Sequence, residues 1–112
     1  MRRLRPAPYV KGSPEFMSFY SQLDKNSRLY KIVGKGIDDL KLDVCAGVKI
    51  ERKKFPRDYV RKYGINNLWK LNLDSNYRLT YTILVEDAFQ IPVILEVLDH
   101  KKYSQRFGYR SD

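Results

Sequence analysis

Apolar residues recur along this chain with two different periods, and the change from one to the other separates a helix-forming half from a sheet-forming half. From Asn26 onward, Leu29, Ile32, Val33, Ile37 and Leu40 follow the i, i+3, i+4, i+8, i+11 spacing of one helix face. Asn26 or Ser27 suits the N-cap, where a side-chain oxygen accepts an orphan backbone N–H. Gly34 and Gly36 each weaken such a helix by about 1 kcal/mol relative to Ala, so it depends on packing against a sheet. A second, shorter helix is predicted from about Pro56 to Tyr63, with proline in its first turn and Gly64 as its stop.

Beyond Asn67 the period becomes two. Trp69, Leu71 and Leu73 alternate with Leu68, Lys70 and Asn72, and Tyr77, Leu79, Tyr81, Ile83 and Val85 alternate with Arg78, Thr80, Thr82 and Leu84. Asp74-Ser75-Asn76 between them are turn residues, so the two runs predict a hairpin. If those three residues form the loop, Leu73 faces Tyr77, Asn72 faces Arg78 and Lys70 faces Thr80. Lys70, Asn72 and Arg78 then share one face of the sheet, which Trp69, Leu71 and Leu79 do not all share. A four-residue loop would reverse that parity. After Glu86-Asp87-Ala88, the run Phe89 to Leu98 is apolar at nearly every position, as in a strand covered on both faces, although Pro92 removes one ladder donor. The polar, cationic end from Asp99 to Tyr109 fits a short helix capped by Asp99 and ended by Gly108.

With 112 residues there is room for one domain. Apolar residues at 43% and charged residues at 31% describe a globular chain rather than a disordered one. No apolar run approaches the roughly 20 residues that span a bilayer, and no signal-peptide h-region opens the chain. A cytoplasmic protein without a membrane partner is expected. The first sixteen residues hold three of the five prolines and show neither period. Gly12-Ser13-Pro14-Glu15-Phe16 ahead of Met17 looks like a translated cloning site, which predicts an expression leader over 1–16 and a single domain over 17–112.

The charge is +9, from 22 Lys and Arg against 13 Asp and Glu, and it remains +6 without residues 1–16. Such a balance favours polyanionic partners. Nine tyrosines, five phenylalanines and one tryptophan add flat rings on which bases can stack, which tilts the reading towards RNA. Cys45 and His100 are the only residues of their types, so neither a disulfide framework nor a Cys/His zinc site can be assembled. No metal or other cofactor is expected. Cations also crowd Lys49 to Lys54 and recur at Arg57, Arg61 and Lys62. Such a run is as readily a solvated face as a binding surface.

Two cations on one sheet face, Lys70 and Arg78, are poor core residues unless paired, so they have partners or receive an anion. The last strand delivers Asp99, His100, Lys101 and Tyr103 towards them. A lone histidine is more often structural or solvent-facing than catalytic, and His100 rises above that reading only in such company.

The series Trp69-Lys70-Leu71-Asn72-Leu73, a short turn, Tyr77-Arg78-Leu79-Thr80-Tyr81, a further strand and His100-Lys101-Lys102-Tyr103 resembles the RelE/ParE toxin superfamily. Lys62-Tyr63-Gly64, Asn67-Leu68-Trp69 and Phe107-Gly108-Tyr109 bring it nearest to archaeal RelE-like mRNA interferases, and the resemblance covers most of residues 26–109. It implies an α+β fold in which a small antiparallel sheet of three to four strands packs against two N-terminal helices. It implies a ribosome-dependent endoribonuclease that cleaves mRNA without metal and inhibits translation, held by a cognate antitoxin in a hetero-oligomer. Lys70, Arg78 and Tyr103 take the catalytic places by position, and His100 looks like the terminal histidine of YoeB-like and HigB-like relatives. Lys53, Lys54, Arg61, Asn72, Lys101, Lys102 and Arg106 complete an RNA-binding surface. Glu51 matches the carboxylate base of YoeB-like members only loosely. Asn72 stands where the RelE pattern has a second strand lysine, a charge left for Lys102 or Arg106 to supply, and no strand is evident in Met17 to Lys25. A gyrase inhibitor of the ParE kind and a non-catalytic RNA-binding relative are the alternatives.

For RNA cleavage without metal, a 2′-OH must be activated, phosphate charge stabilised and the leaving 5′ oxygen protonated. Arg78 suits the phosphate, since a guanidinium grips two oxygens at once. Lys70 adds a point cation. Tyr103 is suited to stacking on a base or to exchanging a proton. His100 alone has an ordinary pKa near neutrality and is assigned the acid/base work.

Overall fold

The computed structural model describes residues 3–108. Tyr109, at the end of the family-like stretch, lies outside them, as do Met1 and Arg2. The elements run β1 (Lys11–Gly12), α1 (Pro14–Ser21), α2 (Arg28–Leu42), β2 (Val48–Lys49), a 3-10 turn (Arg52–Lys54), α3 (Arg57–Tyr63), β3 (Trp69–Asn72), β4 (Tyr77–Glu86), β5 (Phe89–Asp99) and α4 (His100–Phe107). The fold is α+β. Its sheet has five strands in the order β1-β5-β4-β3-β2, with β1 parallel to β5 and the other pairs antiparallel.

That sheet is wider than the three to four strands expected, and mixed rather than purely antiparallel. Both additions are two-residue strands, too short for any periodicity to register. Among the described residues there are four α-helices: besides the two expected to cover the sheet, α4 is the short helix expected after Asp99, and α1 was not anticipated. The two covering helices, now α2 and α3, lie on opposite faces.

On one face, α1 and α2 enclose a dry cluster of Phe16, Val33, Leu40, Leu79, Tyr81 and Ile94, extended by Trp69, Leu71, Leu73 and Val97. Ser27, rather than Asn26, caps α2 by accepting the Tyr30 N–H. Gly36 is buried in that helix because a Cβ there would stand 2.6 Å from the Leu73 side chain, so glycine lets α2 approach the hairpin. On the other face, Ile50, Tyr59, Ile65, Leu68 and Leu95 form a second cluster under α3 and α4, joined by Phe107. Gly64 ends α3 at φ 60°, the left-handed conformation that glycine adopts freely.

Residues 11–16, expected to be a leader outside the domain, are part of it. Lys11 and Gly12 pair with Val93 and Ile94, and the Ser13 N–H donates to the Ile94 carbonyl. The Ser13 hydroxyl donates to the Leu95 carbonyl and accepts the Phe16 N–H, which caps α1. Phe16 is 3% exposed. The first strand of the sheet, β1, lies before Met17 rather than within Met17 to Lys25.

A bulge in β5 decides which residues share a face. Thr80 pairs with Glu96 and Tyr81 with Ile94, leaving Leu95 as the extra residue. Strict alternation from Ile94 would carry Glu96 to the α1/α2 face. With the bulge, Leu95 fills the second cluster and Glu96 stands beside Thr80 on the α3/α4 face.

Candidate active site

The β3–β4 turn sets the register on which the site depends. Asp74 Oδ1 accepts the N–H groups of Asn76 at 2.8 Å and Tyr77 at 2.7 Å, while Oδ2 accepts Arg28 at 2.6 Å. The Arg28 bond, then those two backbone bonds, hold the Asp74 carboxyl below its usual range. Leu73 N–H donates to the Tyr77 carbonyl, which closes the three-residue loop. Lys70 accordingly pairs with Thr80 and Asn72 with Arg78, all on the α3/α4 face.

The β5–α4 junction brings the remaining groups. Asp99 accepts the Lys102 N–H at 2.8 Å and starts α4, as an aspartate N-cap should. Since Tyr77 pairs with Asp99 and Arg78 with Leu98, α4 begins beside Arg78, and the His100 N–H reaches Asn76 Oδ1 at 3.4 Å.

The structure brings Lys70, Arg78, His100 and Tyr103 together. Arg78 Nη1 lies 2.9 Å from His100 Nδ1. A guanidinium only donates, so Nδ1 is the acceptor and the imidazole proton sits on Nε2. The Arg78 guanidinium carbon stands 4.9 Å from the Tyr103 ring centroid and Lys70 Nζ 5.4 Å from it. Two cations over one ring face its negative quadrupole, which holds them close despite their mutual repulsion. Tyr103 is 4% exposed and also stacks on Phe107 at 4.4 Å. Stacking on an RNA base, one of the tasks suggested for Tyr103, does not fit this geometry.

The outer binding residues divide into three groups. Asn72 is exposed directly across from Arg78, while Lys101 and Lys102 are exposed on α4, where Lys102 lines a separate cavity with Glu15, Phe16, Glu96 and Arg106. Arg61 lines a cleft of about 350 Å³ between α3 and α4, with Tyr59, Tyr63, Glu96 and Arg106. Lys53 and Lys54 are exposed on the 3-10 turn, where Lys53 pairs with Glu51 at 3.5 Å. That pairing turns Glu51 towards its own turn. Arg106, one of two candidates for the charge that Asn72 lacks, is already engaged by Glu96 through Nε at 3.0 Å and Nη2 at 2.9 Å.

Glu96 is the residue that sequence reasoning passed over. Its Oε1 also accepts the Tyr59 hydroxyl at 2.6 Å, and that hydroxyl lies 3.0 Å from Thr80 Oγ1. Burial, with the bond to Glu96 second, pushes the Tyr59 phenol far above its ordinary range, so Tyr59 stays a donor. One carboxylate in the otherwise apolar half of a strand was the available signal, because such a charge needs a partner.

Among the described residues no group of three or more His, Cys, Asp and Glu is arranged to hold a metal ion, and no helix is long and apolar enough to cross a membrane. The chain matches no protein-family model, no curated protein and no solved structure. The class defined by fold and site is a small basic α+β domain with a cation-and-imidazole cluster on one face of its sheet.

Proposed function

We propose that this protein is a RelE-type toxin, an endoribonuclease that cleaves mRNA on the ribosome without metal and is held inactive by a cognate antitoxin in the cytoplasm. The observation that carries this reading is the contact of Arg78 with both His100 and Tyr103, with Lys70 on the same ring. The order of these residues along the chain, and their places on β3, β4 and α4, support it through their resemblance to the RelE-like series.

A phosphate drawn to Arg78 and Lys70 would meet a fork-shaped cation and a point cation already gathered over the Tyr103 ring, which favours charge developing on its oxygens. As the guanidinium turns to the phosphate, His100 Nδ1 loses its donor and becomes a base for the 2′-OH. The 2′ oxygen bonds to phosphorus, the P–O5′ bond breaks, and the proton taken up by His100 passes to the departing 5′ oxygen. The products are a 2′,3′-cyclic phosphate and a 5′-hydroxyl. Tyr103 serves as the platform that fixes both cations. A ribosome presenting mRNA in a fixed geometry supplies the orientation that this open surface does not.

A non-catalytic RNA-binding relative is favoured by one observation, the exposed amide of Asn72 at the place of a second cation. A gyrase inhibitor has less support, because protein contact needs no imidazole beside a guanidinium. Mapping mRNA ends after induction, with translation running and with it blocked, tests the reading. Ends that appear only with translation, and vanish in Arg78→Ala, support it; toxicity of Arg78→Ala equal to that of the parent ends it.

A further inference from the structure

Helix α4 carries His100 and Tyr103 on only eight residues, fewer than the roughly 12 to 15 at which an isolated helix becomes even marginal in water. Its orientation must come from outside. Tyr103 and Phe107 are i, i+4 and Tyr103 and Arg106 are i, i+3, so these three side chains lie along one side of the helix. Phe107 meets Tyr59 edge-on at 6.1 Å, an apolar contact that adds buried area but no charge-assisted, two-point bond. Arg106 is different, because one edge of its guanidinium, through Nε and Nη2, engages both oxygens of Glu96. A planar fork on a planar carboxylate fixes direction as well as distance. Glu96 is in turn fixed by the Tyr59 hydroxyl, and Tyr59 is 2% exposed.

We propose that Glu96 is a positioning residue, which acts through Arg106 and Tyr59 to hold α4 at the rotation that keeps the Tyr103 ring under Arg78 and Lys70 and His100 Nδ1 against Arg78. The Glu96 carboxylate bonds to Tyr59 and Arg106 rather than to Arg78 or His100, and it reaches that face of the sheet because of the β5 bulge. The consequence for RNA cleavage rests on the function proposed above; the consequence for His100 does not.

The experiment uses His100 as its own reporter, since it is the only histidine and its two ring nitrogens give one unambiguous pair of ¹⁵N signals. In the full chain at a pH where the ring is neutral, Glu96→Gln should move those signals towards the tautomer mixture of free histidine, as the Arg78 contact loosens. Arg106→Lys should do the same, because an ammonium cannot reproduce the fork, and it serves if Glu96→Gln does not fold. Val33→Ala, a core change on the opposite face, should lower the melting temperature and leave the His100 signals in place. If the protein cleaves mRNA, Glu96→Gln should reduce kcat by up to about 100-fold, the effect of a small misplacement, with KM little changed because Lys70 and Arg78 still attract the phosphate. His100 signals unchanged in folded Glu96→Gln or Arg106→Lys would overturn the proposal. Equal movement in Val33→Ala would also overturn it, by showing a response to any loss of stability. An Arg78→Ala variant that stays toxic removes the nuclease reading alone.

Discussion

The two faces of the sheet are stabilised by different physics. Under α1 and α2 the contacts are apolar or ring on ring, with Phe16 and Tyr20 centroids 5.4 Å apart and Tyr20 and Tyr30 5.0 Å apart. Within this dry cluster the one buried hydroxyl, that of Tyr81, is paired, donating to the Val44 carbonyl and accepting the Gly47 N–H. Under α3 and α4, Lys70, Arg78, Thr80 and Glu96 share the sheet surface with the apolar cluster, and ion pairs and hydrogen bonds position the helices. Dry packing is non-directional and tolerant, whereas the polar face depends on angles and partners. The dry face therefore sets stability, and the polar face sets the geometry of the cations.

The largest effect that would test this contrast is on stability. Leu40→Ala, which empties a fully buried position on the dry face, should cost about 2–5 kcal/mol in a denaturant titration. A loss below 1 kcal/mol would mean that the dry face is not the main support. Arg78→Ala should reverse the pattern, with the proposed mRNA cleavage reduced about 100-fold or more and little change in the unfolding midpoint. Tyr59→Phe should fall between, at about 1–3 kcal/mol, because it strips one donor from Glu96 and a partner from Thr80. A purely apolar role for that ring would leave stability unchanged.

A smaller gain is expected at the β4–β5 turn, outside both clusters. Ala88 sits at φ 70° and Asp87 at φ 49°, a conformation that costs a residue with a Cβ about 1 kcal/mol or more. Ala88→Gly should raise stability by up to about 1 kcal/mol, and a loss would show that the turn is not strained. The smallest effect is on pH dependence. Glu15 is held below its usual value first by the Tyr63 hydroxyl and then by Lys62, Asp74 by Arg28 and backbone N–H groups, and Glu86 first by Lys11. Each carboxylate stabilises the fold above its unfolded pKa of about 4, and that contribution disappears as pH falls through the lower folded value. Unfolding midpoints should therefore decline below about pH 4, and Asp74→Asn should flatten the decline; an unaltered slope would remove the turn as a contributor.

Local signals made much of this legible. The apolar spacing from Leu29 to Leu40, Gly64 as a helix stop, Asp99 as a cap and the Asp74–Asn76 loop each depend on neighbours a few residues away, and each element appears where its signal lies. The loop mattered most, because its length alone put Lys70 and Arg78 on one face. β1 was not legible, since two residues carry no period and their pairing partners are more than 80 positions away. Nor was the separation of α2 from α3 across the sheet, because an amphipathic helix shows that it covers something but not which side.

Sequence by itself determined the inventory of this protein: a basic chain with single histidine and cysteine residues, a hairpin whose parity hung on the length of its loop, and cations alternating with apolar positions. Tertiary structure decided what those groups do to one another. It closed Arg106 to a ligand by giving it to Glu96, turned Tyr103 from a stacking surface into a buried platform, and moved Glu96 across the sheet with one extra residue. The physical reason is range: side-chain parity and capping are set over a few bonds, whereas ion pairing and burial depend on which distant segments share a surface.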